Sequence, residues 1–193
     1  MKKVLNVGGN NKAILLPEQY TDFEQLLLDI DPKGGPDIVC DARKLTSLDG
    51  DQFEAVYCSH NLEHYYRHDV QKVLAGFLHV LKEGGFAHIR VPDIGEVMQI
   101  VAEQELDIED VLYDSPSGPI MVLDVLYGHA AQIESSGEDF YAHKTGFTKK
   151  SLLRVLDEAG FSEIYSWEDT LEIHALAFKG KPNQTELALF DIQ

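Results

Sequence analysis

The sequence predicts a three-layer α/β fold built on a mainly parallel sheet. Short apolar runs, each ended by a glycine, a proline or a polar residue, alternate with helical segments along the 193 residues. Such alternation is typical of a parallel sheet with helices on both faces. Near the C-terminal end, two apolar runs are separated only by "EDT". A connection this short excludes a crossover helix, so these two strands should be antiparallel.

Five strands are predicted in the first half of the chain from continuous apolar runs. Runs of this kind are typical of strands that are buried on both faces of a parallel sheet. The strands are expected at residues 4–7, 26–28, 38–40, 53–58 and 86–91. Two further strands, at residues 162–167 and 171–178, would form the antiparallel pair.

Two helices have recognisable ends in the sequence. Residues 70–81 place apolar side chains at helical spacing, and Asp69 is the expected N-cap. The pair Gly84 and Gly85 is expected to close the C-terminal end of this helix. The second helix is expected to begin at Thr148 and to end at the next glycine along the chain. A single helical turn is expected in "PEQYTDF", before the second strand.

At this length the chain is expected to form one domain with a full core, spanning residues 1–180. Residues 93–147 form an insertion after the fifth strand that is longer than a simple connection requires. Because the insertion leaves the carboxyl end of a strand, it is expected to fold over the site as a lid. A decorative insertion, or one that forms a homodimer, is the alternative. Residues 181–193 are expected to be a loosely held C-terminal tail.

The acidic composition argues against nucleic acid as a partner. The formal net charge is −17 and no cluster of Lys and Arg offsets it, so a nucleic-acid backbone would be repelled.

No apolar run reaches the roughly 20 residues of a membrane span, and the first apolar stretch ends too early for a signal peptide. We therefore expect a cytoplasmic protein without a membrane partner. Its two cysteines, Cys40 and Cys58, are expected to be reduced.

Polar residues at the predicted strand ends point to an adenosine ligand. The first strand ends in the glycine turn Gly8-Gly9, and the second ends in Asp29, about 20 residues further on. Ligands bind outside the carboxyl ends of parallel strands, where an acid after the second strand can accept both ribose hydroxyls. A dinucleotide would need more glycines to hold its pyrophosphate at a helix N-terminus. S-adenosylmethionine has no phosphate, and an acidic site suits its sulfonium cation.

Six stretches together resemble the class I S-adenosylmethionine-dependent methyltransferases, and in particular the small type 11-like methyltransferase-domain proteins. No single stretch is specific, but their order and spacing match over nearly the whole chain outside the insertion and the tail. They are "VLNVGGN", "LLLDIDP", "DIVCDARKL", "FEAVYCSHNLEHY", "VLKEGGFAHIRVPD" and "HKTGFTKKSLLRVLDEAGF". The resemblance implies a Rossmann-like methyltransferase fold: a seven-stranded, mainly parallel sheet of order 3-2-1-4-5-7-6 with an antiparallel terminal strand.

The resemblance also implies S-adenosylmethionine as the cofactor and a set of residues that bind it. Gly8 and Gly9 would form the cofactor turn, and Asp29 would bind the ribose. Asp41 and Ala42 would contact the adenine, and the residues after the fourth strand would lie near the methyl donor. The implied cofactor-binding set is Val7, Gly8, Gly9, Asn10, Asp29, Ile30, Asp41, Ala42, Ser59 and His60.

The glycine turn departs from the family pattern. The first motif of the family usually starts with an acid and has three glycines spaced two apart. Here these four positions are Asn6, Gly8, Asn10 and Lys12, and little helix can fit after the turn. Asn10 can adopt a left-handed conformation at modest cost, so the turn can survive. The amino-acid end of the cofactor would nevertheless lose its usual support.

Methyl transfer mainly requires that the acceptor is aligned with the donor and that water is excluded. A base is needed only for a hydroxyl or a protonated amine. His64, His143 and Tyr127 are the candidate catalytic residues, with His129 as a further candidate and Lys144 available for an anionic substrate. His64 lies in "NLEH", which matches a frequent family position.

No metal site is predicted. His60, His64 and His68 recur at four-residue intervals, which would place them on one face of a helix. Asp69 is expected to cap that helix, so the three histidines would fall in the loop before it. In addition, no carboxylate follows at the spacing of a metalloprotease motif.

The sequence therefore predicts an enzyme that methylates an oxygen or a nitrogen of a small molecule with S-adenosylmethionine. The alternative is a degenerate methyltransferase fold that acts as a non-catalytic binding or regulatory module, which the altered glycine turn favours. A nicotinamide-dependent oxidoreductase is a third hypothesis, and the missing glycines and the terminal hairpin argue against it.

Overall fold

The computed structural model describes residues 1–116 and 118–192, and a seven-stranded sheet forms its centre. The strands are β1 (Lys2–Val7), β2 (Phe23–Asp29), β3 (Ile38–Val39), β4 (Phe53–Ser59), β5 (Leu81–Pro92), β6 (Val111–Ser115), β7 (Gly118–Met121), β8 (Glu163–Asp169) and β9 (Glu172–Phe178). The α-helices are α1 (Arg67–Val80), α2 (Ile94–Gln104), α3 (Val122–Tyr127), α4 (Ala130–Ser136), α5 (Lys149–Ala159) and α6 (Gln184–Ala188).

The order of the central sheet is β3-β2-β1-β4-β5-β9-β8, and β6 and β7 form a separate hairpin. When that hairpin is left out of the numbering, this is the predicted order 3-2-1-4-5-7-6. The strands β1 to β5 pair in parallel, whereas β9 is antiparallel to both of its neighbours, β5 and β8. The predicted fold class, with its antiparallel terminal strand, is confirmed.

The two faces of the sheet are covered in different ways. On one face, α1 and α5 pack with the 3₁₀ segment Ala42–Ser47 over a large core in which Phe77 is fully buried. The cover of the other face comes from the 3₁₀ turn Glu18–Tyr20 and from the C-terminal segment, which bury Tyr20 and Leu187. This difference follows from the short connection between β1 and β2.

Helix α1 begins and ends earlier than predicted. Its N-cap residue is Tyr66 and not Asp69, which lies in the first turn and accepts a hydrogen bond from Lys72 (2.6 Å). A negative side chain in the first turn is favoured by the free N–H groups there, so an acid marks a helix start without capping it. The glycine pair does not close the helix, because β5 starts directly at Leu81, which pairs with Phe53 of β4.

Helix α5 has the predicted boundaries. Thr148 is its N-cap residue and accepts a hydrogen bond from the backbone N–H of Ser151 (3.3 Å). Gly160 follows the helix in a left-handed conformation with φ of +99°, which a residue with a Cβ atom adopts only with strain.

Residues 181–192 are held more firmly than the predicted loose tail. They include α6, whose Leu187 is only 6% exposed and packs in the same cluster as Tyr20. The ring of Phe190 meets the ring of Phe86 edge to face at 5.5 Å. This segment therefore supplies part of the cover that a helix after β1 would otherwise provide. Gln193 lies outside the described residues.

The first and last residues of the insertion at 93–147 are adjacent in space. Asp93 and Phe147 form a parallel bridge at the carboxyl end of β5. Between them, α2, α3 and the β6–β7 hairpin pack around a small core of their own, centred on Val97, Val122 and Val125. Within the described part of the chain, no helix combines the length and the apolar character needed to cross a membrane.

A chain of buried polar side chains crosses the outer part of the sheet. The hydroxyl of Tyr20 lies 3.2 Å from Nδ1 of His88, and Nε2 of His88 lies 3.3 Å from Nδ1 of His174. Nε2 of His174 lies 3.1 Å from the carboxylate of Glu172. Because a carboxylate only accepts, each imidazole donates through Nε2 and Tyr20 donates to His88. Burial, together with the charges of His174 and Arg90, lowers the pKa of His88 from 6.5 to about 3.

This lowered pKa predicts a loss of stability at mildly acid pH. Between pH 6.5 and 3 the unfolded chain binds a proton that folded His88 does not bind, so the free energy of unfolding falls as the pH decreases. One such proton contributes a slope of about 1.4 kcal/mol per pH unit. The variant His88→Gln should lack this contribution to the slope. Urea unfolding at several pH values between 6.5 and 4.5 measures how the free energy of unfolding changes with pH. The exposed His68 provides the control: His68→Gln should follow the wild type, and equal slopes in all three proteins would contradict the assignment.

Candidate functional site

A cavity of about 290 Å³ lies at the carboxyl ends of the parallel strands. Its walls come from the turn after β1, from the ends of β2 and β3, from the segment after β4 and from the insertion. This is the edge at which open parallel sheets bind their ligands, because the loops that follow neighbouring strands diverge there.

The turn after β1 keeps a glycine geometry although one expected glycine is replaced. Gly8 has φ of +71° and donates a backbone hydrogen bond to Leu28 of β2 (2.8 Å). A Cβ atom on Gly8 would overlap the side-chain amide of Asn61. Asn10 has φ of +58°, which confirms that it takes the left-handed conformation. The turn therefore survives, with Asn10 in place of a glycine.

Asp29 joins this turn to the end of β2. Its carboxylate accepts hydrogen bonds from the backbone N–H groups of Asn10 (3.0 Å) and Asp31 (2.9 Å), one on each oxygen. The residue is 9% exposed and lines the cavity. Each carboxylate oxygen has a second lone pair, so Asp29 can still accept hydrogen bonds from a ligand.

The end of β3 carries an ion pair. The guanidinium of Arg43 binds the carboxylate of Asp41 (2.6 Å) and also reaches Asp69 (3.2 Å). The hydrogen bonds from Arg43 lower the pKa of Asp41, against the opposing effect of partial burial. Both Asp41 and Arg43 line the cavity, so this wall presents a cation and an anion together.

The segment after β4 begins with a strained histidine. His60 has φ of +47°, and its Nε2 lies 2.7 Å from the carboxylate of Glu172. Burial lowers the pKa of His60, but the hydrogen bond to Glu172 and the nearby carboxylate of Glu63 outweigh burial and raise this pKa to about 9. His60 therefore acts as a cation at the floor of the cavity.

His64 and His143 lie side by side next to Glu63. Their rings meet edge to face, with centroids 4.9 Å apart. Of the three residues, His64 lines the cavity, while His143 lies behind it and Glu63 is fully buried. The backbone carbonyl of Glu63 accepts hydrogen bonds from the N–H groups of Lys144 (2.8 Å) and Thr145 (3.1 Å). The end of the insertion is thus attached to the segment after β4.

The insertion supplies one side of the cavity. Four of its side chains line it: Gln132, Phe140, Tyr141 and Lys144. The hydroxyl of Tyr141 lies 3.4 Å from the carboxylate of Asp31, so this side of the cavity touches the segment after β2.

The structure brings together eight of the residues that the sequence singled out. Those that line the cavity are Gly8, Asn10, Asp29, Ile30, Asp41, His60, His64 and Lys144. The others in the implied cofactor set are chain neighbours of lining residues and do not line the cavity themselves: Val7, Gly9, Ala42 and Ser59. Val7 and Ala42 are buried in the core at 1% exposure, so their side chains support the site from below.

Of the three candidate catalytic residues Tyr127, His64 and His143, only Tyr127 has an exposed side chain. Its side chain is 59% exposed and does not line the cavity. Its backbone carbonyl accepts a hydrogen bond from the N–H of His143 (3.0 Å). His129 is also exposed, as the N-cap residue of α4.

Several residues of the site could not be predicted from the sequence. Arg43 and Asn61 lie close to predicted site residues, but no sequence pattern identifies them as lining residues. Tyr65 and Tyr66 follow "NLEH", and an aromatic pair so close to a strand end is the one signal that could have been used. Tyr141 lies far along the chain, and only the folding of the insertion brings it to the cavity.

Comparison with known proteins finds a methyltransferase family over part of the chain. The family model described as a methyltransferase domain matches residues 19–89, which include β2 to β4 and most of β5. No curated protein matches the chain by sequence.

Solved structures match over almost the whole chain. One is a SAM-dependent methyltransferase from Archaeoglobus fulgidus, with 15% identity and a TM-score of 0.55 over 91% of this chain and 85% of that one. A protein from Pyrococcus horikoshii has 18% identity and a TM-score of 0.59, over 92% and 83% of the two chains. A Burkholderia thailandensis 1,6-didemethyltoxoflavin-N1-methyltransferase with bound S-adenosylhomocysteine has 16% identity and a TM-score of 0.51, over 93% and 72%.

At these identities the likeness to solved structures shows the fold. The family match over residues 19–89 and this fold both agree with the resemblance to the class I S-adenosylmethionine-dependent methyltransferases. S-adenosylmethionine is the cofactor of that class. The family match begins at residue 19, after the altered glycine turn, in agreement with the departures noted there.

The Gly8 turn can be tested with a matched pair of variants. Gly8 and Gly35 both have positive φ, but a Cβ atom on Gly35 would meet no atom within 4 Å, whereas one on Gly8 would overlap Asn61. Gly35→Ala should therefore cost only the left-handed strain of about 1–2 kcal/mol. Gly8→Ala should cost about 1–3 kcal/mol more, because the side chain of Asn61 must move. Urea unfolding measures both, and equal losses would show that the contact with Asn61 is unimportant.

Proposed function

We propose that this protein transfers the methyl group of S-adenosylmethionine to an oxygen or a nitrogen of a small molecule. The main support is the position of Asp29. This buried carboxylate lies at the end of β2, faces the cavity and is held against the turn formed by Gly8 and Asn10. An acid at this position suits the two hydroxyls of a ribose.

The residues of the cavity fit the parts of the cofactor. Asp29 and Ile30 would hold the ribose, and Asp41 would lie beside the adenine, with its carboxylate already engaged by Arg43. The backbone of Gly8 and its neighbours would meet the amino-acid end. The bound cofactor supplies a methyl group on a positively charged sulfur, and the protein has to align an acceptor with it and exclude water.

His64 is the residue best placed to act on an acceptor. It lines the cavity, and its Nδ1 lies 3.1 Å from the backbone carbonyl of Ala142. A donor bond from Nδ1 leaves Nε2 with a lone pair that can accept a proton from a hydroxyl or an amine. His143 lies behind His64 and would support its orientation. Lys144, which also lines the cavity, would attract an anionic group of the acceptor.

The size and the charge of the site support a small acceptor. A cavity of about 290 Å³ lies just below the range of about 300–1,000 Å³ that is typical of small-molecule sites, so it leaves no room for a large acceptor beside the cofactor. The net charge of −17 would repel a nucleic-acid acceptor. We further propose that residues 93–147 act as a lid, because the side chains that close one wall of the cavity belong to this insertion.

A non-catalytic binding module remains the second candidate. The observation that favours it is the lack of any helix within residues 8–17, where the family pattern places the first helix after the glycine turn. Lys12 stands at the position of the third glycine and binds Asp37 (2.6 Å) instead of turning toward the cavity. The amino-acid end of the cofactor would then lose contacts that a catalytic orientation needs.

Calorimetry with S-adenosylhomocysteine tests cofactor binding. Asp29→Ala should weaken binding at least about 100-fold, since each hydrogen bond to a charged group contributes about 1.5–3 kcal/mol. Asp22→Ala removes an exposed acid near the start of β2 and should bind like the wild type. Asp29→Asn keeps the shape of the side chain, so a large loss in this variant with an unchanged unfolding midpoint would identify the charge and not the fold as the cause.

The outcomes separate the candidate functions. No binding by the wild type at millimolar concentrations of S-adenosylmethionine and S-adenosylhomocysteine would contradict the enzyme and favour the binding module. Thermal stabilisation by NAD alone would favour the oxidoreductase.

The homodimer through residues 93–147 stays a prediction. This insertion exposes apolar side chains, among them Met98 (56%) and Val111 (50%), as an interface would before association. Light scattering should then give twice the chain mass of 21.6 kDa. Met98→Asp should shift the protein toward the monomer, and a monomeric wild type at high micromolar concentration would contradict the prediction.

A further inference from the structure

Glu63 is a buried carboxylate without a hydrogen-bond partner. Its side chain is 1% exposed, and both of its oxygens lack a partner among the described residues. The nearest cationic group is Nδ1 of His60, at 3.6 Å, which is beyond hydrogen-bond distance. Burial of a carboxylate is costly unless a cation or several donors compensate it. His60 compensates this charge only in part, because it makes no hydrogen bond to Glu63, so a further positively charged group would stabilise the carboxylate.

Two histidines face this carboxylate from different parts of the chain. His64 belongs to the 3₁₀ turn Leu62–His64 after β4, and His143 lies at the end of the insertion. One ligand atom from each of Glu63, His64 and His143 can be chosen so that all three lie within 4.8 Å of one another. For His143 and Glu63, the distance between Nε2 and Oε1 is 4.0 Å. Ligand atoms on a tetrahedral ion with bonds of about 2.0–2.2 Å lie about 3.3–3.6 Å apart, so the three side chains would have to move slightly closer together to bind an ion.

The other ring nitrogen of each histidine is already engaged. Nδ1 of His64 lies 3.1 Å from the carbonyl of Ala142, and Nδ1 of His143 lies 2.8 Å from the carbonyl of Val125. A carbonyl only accepts, so both Nδ1 atoms carry the proton and both Nε2 atoms keep a lone pair. Histidines that bind metals are usually oriented in this way, with the second nitrogen donating to a backbone carbonyl or a carboxylate.

We propose that Glu63, His64 and His143 bind a divalent transition-metal ion at the wall of the cavity. Two imidazole nitrogens and one carboxylate oxygen form a ligand set that suits Zn²⁺ and the neighbouring first-row ions, with further positions left for water or a ligand. The ion would neutralise the buried carboxylate and would occupy Nε2 of His64, so His64 could act as a base toward an acceptor only in the metal-free protein. It would also connect the segment after β4 to the end of the insertion.

This site differs from the one that the four-residue spacing of histidines suggests. His68 lies in the first turn of α1, its side chain is 75% exposed, and its ring stacks on Tyr66. Nε2 of His60 is occupied by Glu172. Of the three spaced histidines, only His64 takes part. The third ligand comes from His143, which is distant in the sequence, so no local motif reveals the site.

Metal binding can be measured on the full chain after treatment with a chelator. Titration with ZnCl₂ in a calorimeter should give one ion per chain, and Co²⁺ should give a visible absorption band from a site with nitrogen and oxygen ligands. Glu63→Gln and His143→Gln should each weaken binding by at least about 100-fold, because even outer-shell changes at metal sites cost 10–100-fold. His68→Gln, which removes a nearby histidine outside the site, should bind like the wild type.

Zn²⁺ should also raise the unfolding midpoint of the wild type and of His68→Gln but not that of the two ligand variants.

If a ligand variant does not fold, anomalous scattering at the zinc edge from wild-type crystals locates the ion, and an ion between the three side chains supports the proposal. No binding by the wild type at 1 mM Zn²⁺ (about the weakest affinity of interest), unchanged binding by Glu63→Gln, or an ion located elsewhere would overturn it. Binding of S-adenosylhomocysteine, measured on the same samples, shows separately whether the proposed function holds.

Discussion

The parallel pairing of β1 between β2 and β4 determines where everything else in the site lies. Because the three strands run in the same direction, the turn at Gly8, the carboxylate of Asp29 and the histidine at position 60 all emerge at one edge. The register then brings the N–H of Gly8 to the carbonyl of Leu28 and the N–H of Asn10 to the carboxylate of Asp29. A shift of one residue in this register would break both hydrogen bonds and turn the side chains of the shifted strand to the opposite face of the sheet.

The insertion is a second unit that depends on this edge. It leaves and returns at the bridge between Asp93 and Phe147, and it has its own small core. Its last residues are attached to the segment after β4 through the carbonyl of Glu63. That attachment brings His143 beside His64, and Lys144 into the wall of the cavity. The insertion therefore takes part in the site and does more than connect β5 with α5.

The altered turn after β1 has consequences on the far side of the sheet. With only a short 3₁₀ turn between β1 and β2, this face is covered by Tyr20 together with α6 and Phe190 from the C-terminal segment. The same loss of helix removes the usual support for an anionic group at the end of β1. A shorter first connection thus links the altered glycine turn to the firmly packed C-terminal segment.

The order of the strands, the antiparallel terminal pair and the candidate ligands Asp29 and His60 could be predicted from the sequence. These features depend on local signals, namely apolar runs, the residues that end them and the length of the last connection. Helix ends were less certain, because an acid such as Asp69 is favoured in a first turn as well as at an N-cap. The packing of α6, the position of Tyr141 and the meeting of Glu63 with His143 were decided only by the tertiary structure. Each depends on contacts between residues far apart in the chain, and no spacing rule within a single helix or strand reports such contacts.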